Sequence, residues 1–124
     1  MSKVLIVDDE IEIVEFLNNF LQRKGVKVFT AINADDALAI FHKEKPSLIL
    51  LDVSMPGNDG FTVLKTVKEL SPQTKVVMIT AKDDRASTMK AKKLDADNYL
   101  IKPIELEKLD AIVFGYIPSE VDHP

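Results

Sequence analysis

The sequence predicts an α/β domain: a parallel β-sheet with helices on both faces. Three observations lead there. Five short apolar runs follow one another along the chain, a stretch with helical spacing comes after each of them, and no repeat, linker or low-complexity segment interrupts the alternation. Strict alternation of this kind favours parallel strands joined by right-handed crossovers.

The apolar runs are VLIV at 4–7, VKVFT at 26–30, LILL at 48–51, VVMIT at 76–80 and YLI at 99–101. Three are apolar almost throughout, as strands covered on both faces must be. VKVFT is mixed and suits an edge strand. In the first helical stretch Ile13, Phe16, Leu17 and Phe20 share one face, and Lys24-Gly25 supplies a C-terminal stop. Asn33 is an N-cap candidate for the second, with Asp35 and Asp36 in its first turn and Ala37, Ile40 and Phe41 as its apolar stripe. Val63, Val67 and Leu70 mark the third, entered through Pro56-Gly57 and Asp59-Gly60. The fourth is poorly amphipathic, with Ala86, Met89, Ala91 and Leu94 as its only apolar members, and weak packing of this kind suits a switching element. Leu106, Leu109 and Val113 mark the fifth. Residues 1–124 are expected to form a single domain, with about 118–124 a flexible tail.

At 124 residues, 46% hydrophobic and 29% charged, the chain is large enough to bury a core without staples. A net charge of −4 disfavours direct nucleic-acid binding. The absence of cysteine excludes disulfides and thiolate metal sites. No apolar stretch has signal-peptide or membrane-span length, so the expected location is cytoplasmic, away from membranes. His42 and His123 are isolated, and Lys90, Lys92 and Lys93 read first as a solvated face and second as a partner contact.

In open parallel sheets ligands bind beyond the carboxyl ends of the strands. There the sequence places Asp8-Asp9, Asp52, Thr80 and Lys102, from four different runs. Singly, each has an ordinary explanation: Asp8 or Asp9 as a helix cap, Asp52 as a loop acid, Thr80 as a strand end, Lys102 as a solvated cation. Jointly they describe a pocket. Carboxylates about 4 Å apart repel by ~4 kcal/mol at an effective dielectric near 20, so clustered acids shift a pKa or attract a cation. With only oxygen ligands the cation is Mg²⁺, with Mn²⁺ as a substitute. Mg²⁺ favours a phosphate oxygen as an additional ligand. Lys102 would neutralise that phosphate, and Thr80 would donate a hydroxyl to it.

KVLIVDDE, SLILLDVSMPGNDGF, KVVMITA and DADNYLIKP, in this order over nearly the whole chain, resemble the receiver domain of two-component response regulators. The resemblance implies a flavodoxin-like doubly wound sheet of five parallel strands in the order 2-1-3-4-5, with five helices. It implies that Asp52 is the phosphoacceptor for a histidine kinase phosphohistidine. Asp9, Asp52 and the backbone carbonyl of Ser54 would bind Mg²⁺ directly, and Asp8 would act through water. Lys102 would bind a phosphoryl oxygen, aided by a cis bond to Pro103, and Thr80 and Tyr99 would form the switch, Tyr99 rotating inward after phosphorylation. Tyr99 also reads as ordinary half-buried packing. Ser54 and Lys82 occupy the positions that tune phosphoryl lifetime. Departures from the family pattern are Asp95 in place of a Gly, Ile104 in place of a Phe, and the Asn58-Asp59 loop.

The implied partners are a sensor histidine kinase or phosphotransfer protein, and a downstream target or fused output domain. A homodimer through the fourth helix, fifth strand and fifth helix is a further expectation. With no output domain read after the fifth helix, the domain is expected either to act alone, as a relay or docking switch, or to be a piece of a longer regulator. Beyond promoting its own phosphorylation and slow dephosphorylation, no conventional enzymatic activity is expected. Two other readings stay open. A haloacid-dehalogenase-like phosphohydrolase would need a second Asp where Ser54 stands, and a receiver-like interaction module would not use phosphate. A flavin carrier is disfavoured by the acidic turn Asp8-Asp9-Glu10.

Overall fold

A computed structural model describes residues 2–55, 59–81 and 84–118. Lys82, Pro56, Gly57, Asn58, His123 and most of the expected tail lie outside the described residues. The elements run β1 (Lys3–Val7), α1 (Ile11–Arg23), β2 (Lys27–Ala31), α2 (Ala34–Glu44), β3 (Leu48–Asp52), α3 (Asp59–Leu70), β4 (Lys75–Ala81), α4 (Arg85–Lys93), β5 (Asn98–Lys102) and α5 (Leu106–Tyr116). The strands form one sheet in the order β2-β1-β3-β4-β5, and every pairing is parallel.

The alternation of side chains along a strand divides the core in two. Leu5, Val7, Ile49, Leu51, Val76 and Met78 pack with residues of α2, α3 and α4. Val4, Ile6, Leu48, Leu50, Val77 and Ile79 pack with Leu17 and Leu21 of α1 and with Leu109 and Val113 of α5. Both faces of β3 are therefore covered, which is why all of Leu48–Asp52 is buried. β2 lies at an edge and keeps its mixed pattern.

Helix ends follow local chemistry. The Asn33 side chain accepts the Asp36 N–H at 2.8 Å, capping α2. Asp84 caps α4 by accepting the Ser87 N–H at 3.1 Å. Gly25 takes φ 80 after α1, and the Val26 N–H closes back on the Leu21 carbonyl at 3.2 Å. Asp95 fills the same role after α4 with φ 67, and the Ala96 N–H reaches the Ala91 carbonyl at 3.0 Å. As expected of its weak stripe, α4 buries only Ala91.

Three expected core positions are exposed: Phe16, Leu70 and Leu106. In α1 the seam facing the sheet is Leu17 and Leu21, and Phe16 sits one residue, about 100° of rotation, off it. Leu70 and Leu106 occupy helix ends, beyond the reach of the sheet.

At the amino-terminal edge of β4 and β5 the chain is tied by a half-buried ion pair. Lys68 Nζ donates to Asp97 Oδ2 at 2.5 Å and to the Thr74 carbonyl at 2.7 Å, while Asp97 Oδ2 also accepts the Val76 N–H at 2.8 Å. This clamp fixes α3 against β4 and β5 at the end of the sheet away from the acids.

Candidate functional site

The opposite edge is built from four strand ends. Asp8 follows β1 directly and is fully buried, and its Oδ1 accepts the Glu10 N–H at 2.8 Å. Asp52 ends β3 and is fully buried too. Its Oδ1 accepts the Ser54 N–H at 3.0 Å and the Ser54 hydroxyl at 2.8 Å. These bonds orient the carboxylate so that Oδ2 faces the Lys102 ammonium at 3.7 Å. Lys102 ends β5, and its ammonium lies closer to a third acid, Glu10, at 3.1 Å from Oε1. The Lys102-Pro103 bond is cis.

Carboxylate oxygens of Asp8, Glu10 and Asp52 lie within 4.8 Å of one another. Asp9, adjacent in sequence, is exposed and is not among the acids gathered here. Successive residues leaving a strand point to opposite sides, so only one of the pair turns inward. Glu10 was not singled out from the sequence as a site residue. The only signal for it is its place at the end of VDDE, one step beyond the acidic pair.

Three buried polar atoms at this edge have no hydrogen-bond partner among the described residues: Asp8 Oδ2, Asp52 Oδ2 and Thr80 Oγ1; Tyr99 Oη, from the second residue of β5, is likewise buried and unpaired. Buried polar groups are ordinarily paired, and leaving one unpaired costs about 1–3 kcal/mol. Three at one edge mark a site able to take a ligand. Burial is the main cause that pushes the Asp8 carboxyl up to about 7, and the Asp52 charge adds to it; the Glu10 N–H and the Lys102 charge act against it. For Lys102, burial pulls the ammonium down, but the hydrogen bond to Glu10 and the charges of Asp52, Asp8 and Glu10 outweigh it and hold it above the usual lysine range. Burial also raises the Tyr99 phenol, whose hydroxyl is already enclosed in this structure and not turned outward.

The buried oxygens Asp8 Oδ2 and Asp52 Oδ2 have no donors, and a cation between them would relieve their repulsion. An all-oxygen donor set fits Mg²⁺. Among the described residues, the structure brings together Asp8, Asp52 and Lys102, with the unpaired Thr80 hydroxyl at the same strand edge; Tyr99 lies three residues before Lys102 on β5. Gly60 explains how α3 approaches so closely: a Cβ there would stand 2.5 Å from the Asp52 carbonyl oxygen.

A doubly wound sheet with an acidic pocket and one ammonium at its carboxyl edge defines a class of small signalling domain. Residues 4–114 match the family described as the response regulator receiver domain, and the chain belongs to that family. It is a receiver domain of two-component response regulators. Among its relatives is sporulation initiation phosphotransferase F of Bacillus subtilis, 35% identical over 94% of this chain and 94% of that protein. Another is the alkaline phosphatase synthesis transcriptional regulatory protein PhoP of the same organism, 39% identical over 99% of this chain but only 52% of that protein. The chain thus spans nearly all of one curated relative and about half of another. A putative response regulator from Chloroflexus aurantiacus superposes with a TM-score of 0.87 at 32% identity, covering 93% of this chain and 96% of that one. The receiver domain of NtrX from Brucella abortus gives 0.86 at 28% identity, covering 94% and 99%. No helix among the described residues is long and apolar enough to cross a membrane.

Proposed function

We propose that residues 1–124 act as one phosphorylation-switched receiver, working in the cytoplasm, with Asp52 as the phosphoacceptor. One observation carries this reading: Asp52 is held by Ser54 through Oδ1 alone, leaving a buried Oδ2 without a hydrogen bond and facing the Lys102 ammonium at 3.7 Å. In the proposed transfer this oxygen attacks the phosphorus of a phosphohistidine on a sensor kinase or phosphotransfer protein. A P–O bond forms to Asp52, the P–N bond breaks, and the imidazole leaves with its electron pair and is protonated. Phosphoryl transfer asks a protein mainly for positioning and charge neutralisation. Lys102 supplies charge beside the incoming group, and the Thr80 hydroxyl, unpaired at rest, donates to a phosphoryl oxygen.

Asp9, Asp52 and the Ser54 carbonyl would hold Mg²⁺, with Asp8 acting through water. When bound, the ion neutralises negative charge on the transferring group. Thr80 also borders a concavity shared with Arg85, Thr88, Met89 and Ile101, so its movement towards the phosphoryl group is felt by α4. Tyr99 shares that response, and Ser54 with Lys82 sets the phosphoryl lifetime. The regulated surface is α4–β5–α5, where Met89, Ile101 and Leu106 are exposed for a downstream partner or a second copy. The decisive experiment is incubation with acetyl phosphate and Mg²⁺, read by intact mass and size-exclusion chromatography. One phosphoryl adduct is expected on the wild type and none on Asp52→Ala. An adduct that persists in the variant refutes the assignment.

A further inference from the structure

The residue with no place in the reading above is Glu10. It occupies the N-cap of α1, where Ser, Thr, Asp or Asn would accept a backbone N–H, yet its side chain caps nothing. It reaches instead across the mouth of the pocket to a residue at the far end of the chain, Lys102, at 3.1 Å. The Glu10 side chain is 57% exposed, Lys102 22% and Asp52 1%. The ammonium is therefore suspended between an outer acid and an inner one, and it is closer to the outer.

We infer that Glu10 is a positioning residue for Lys102: its carboxylate sets the resting place of the ammonium at the pocket mouth and competes with an arriving phosphoryl group for it. This inference rests on the phosphoacceptor reading above. A phosphoryl group on Asp52 presents oxygens on the inner side of Lys102, and the ammonium reaches them by giving up its shorter contact with Glu10. Glu10 thus acts as a restraint on loading. It also stabilises the empty pocket, since it keeps a cation near two buried carboxylates. The identity of residue 10 then becomes a setting for how readily this receiver is charged, separate from the acids that carry the chemistry.

The test uses the full chain. With acetyl phosphate and Mg²⁺, Glu10→Ala is expected to load faster than wild type by roughly two- to fivefold, the range of a half-exposed ion pair, and Glu10→Gln by less. In a Lys102→Gln background, where loading is slower, the Glu10→Ala substitution is expected to change nothing further, because its effect runs through the ammonium. A second readout needs no phosphoryl transfer: in the metal-free protein the Lys102 ammonium proton resonance, sharpened by its hold on Glu10, is expected to broaden in Glu10→Ala. An unchanged rate with an unchanged resonance overturns the inference. Slower loading with weakened Mg²⁺ binding, the behaviour of a metal ligand, overturns it too, as does an acceleration of the same size when Lys102 is absent. If the wild type itself takes no phosphoryl group, the reading of Asp52 fails instead, and the resonance still reports on the Glu10–Lys102 pair.

Discussion

Replacing Asp8 by Asn should stabilise the metal-free protein. The Asp8 and Asp52 carboxylate oxygens lie within 4.8 Å of each other in a buried pocket. At that separation two full charges repel by about 3.5 kcal/mol at an effective dielectric near 20, and Lys102, 3.7 Å from Asp52, offsets part of it. An Asn at position 8 keeps an oxygen to accept the Glu10 N–H and gains an N–H₂ that can donate to the unpaired Asp52 Oδ2. The expected gain above pH 7 is about 1–3 kcal/mol, or roughly 4–10 °C in Tm. The pH dependence gives the sign independently. The Asp8 carboxyl is raised in the folded state from 3.8 to about 7, so between those values the native protein keeps a proton that the unfolded chain has released. Wild-type stability without metal should therefore fall as pH rises through that window, by at most about 1.4 kcal/mol per pH unit, and level off above it. Asp8→Asn should lack this decline and should gain less from added Mg²⁺. Urea unfolding in chelator at pH 5 and pH 8 measures all of this. If the Asn variant is no more stable at pH 8, or if its pH profile parallels the wild type, the account of the pocket as a strained acid pair is wrong.

Three further substitutions probe the frame around the pocket. Asp97→Ala should cost about 2–4 kcal/mol in urea unfolding, because it strands a Lys68 side chain that is only 10% exposed and removes the acceptor of the Val76 N–H; Asp97→Asn, which keeps that acceptor, should cost less. Gly60→Ala should cost about 1–3 kcal/mol and slow acetyl phosphate loading, since its Cβ would press on the Asp52 carbonyl oxygen and move either α3 or the end of β3. Asp95→Gly should gain about 0.5–1 kcal/mol by relieving a non-glycine residue at φ 67, with a higher Tm and unchanged loading.

The features that were legible in the sequence are those written in neighbouring residues. The five apolar runs became five strands with no end shifted by more than one residue, because each run is a core segment whatever surrounds it. Asn33, Gly25 and Asp95 could be placed because caps and left-handed turns depend on one residue and its immediate context. What could not be read depends on phase or on distance. Phe16 and Leu17 are equally apolar, and only the docking angle of α1 decides which faces the sheet. Asp8 and Asp9 are chemically identical, and the exit of β1 buries the first. The Lys68–Asp97 clamp joins residues 29 apart, and the Glu10–Lys102 pair joins residues 92 apart, so no local pattern announces either.

The two ends of the sheet are finished in opposite ways. Beside α3, Asp97 is saturated by Lys68, Lys75 and a main-chain N–H, while at the other end the orphan atoms of Asp8, Asp52 and Thr80 follow or close β1, β3 and β4. On the phosphoacceptor reading proposed above, charge placed at that end is expected to act first on α4, which buries only Ala91, because the opposite rim is anchored. Such a domain resembles a lever with its fulcrum set far from the load, in which a local neutralisation of charge becomes a displacement at the surface.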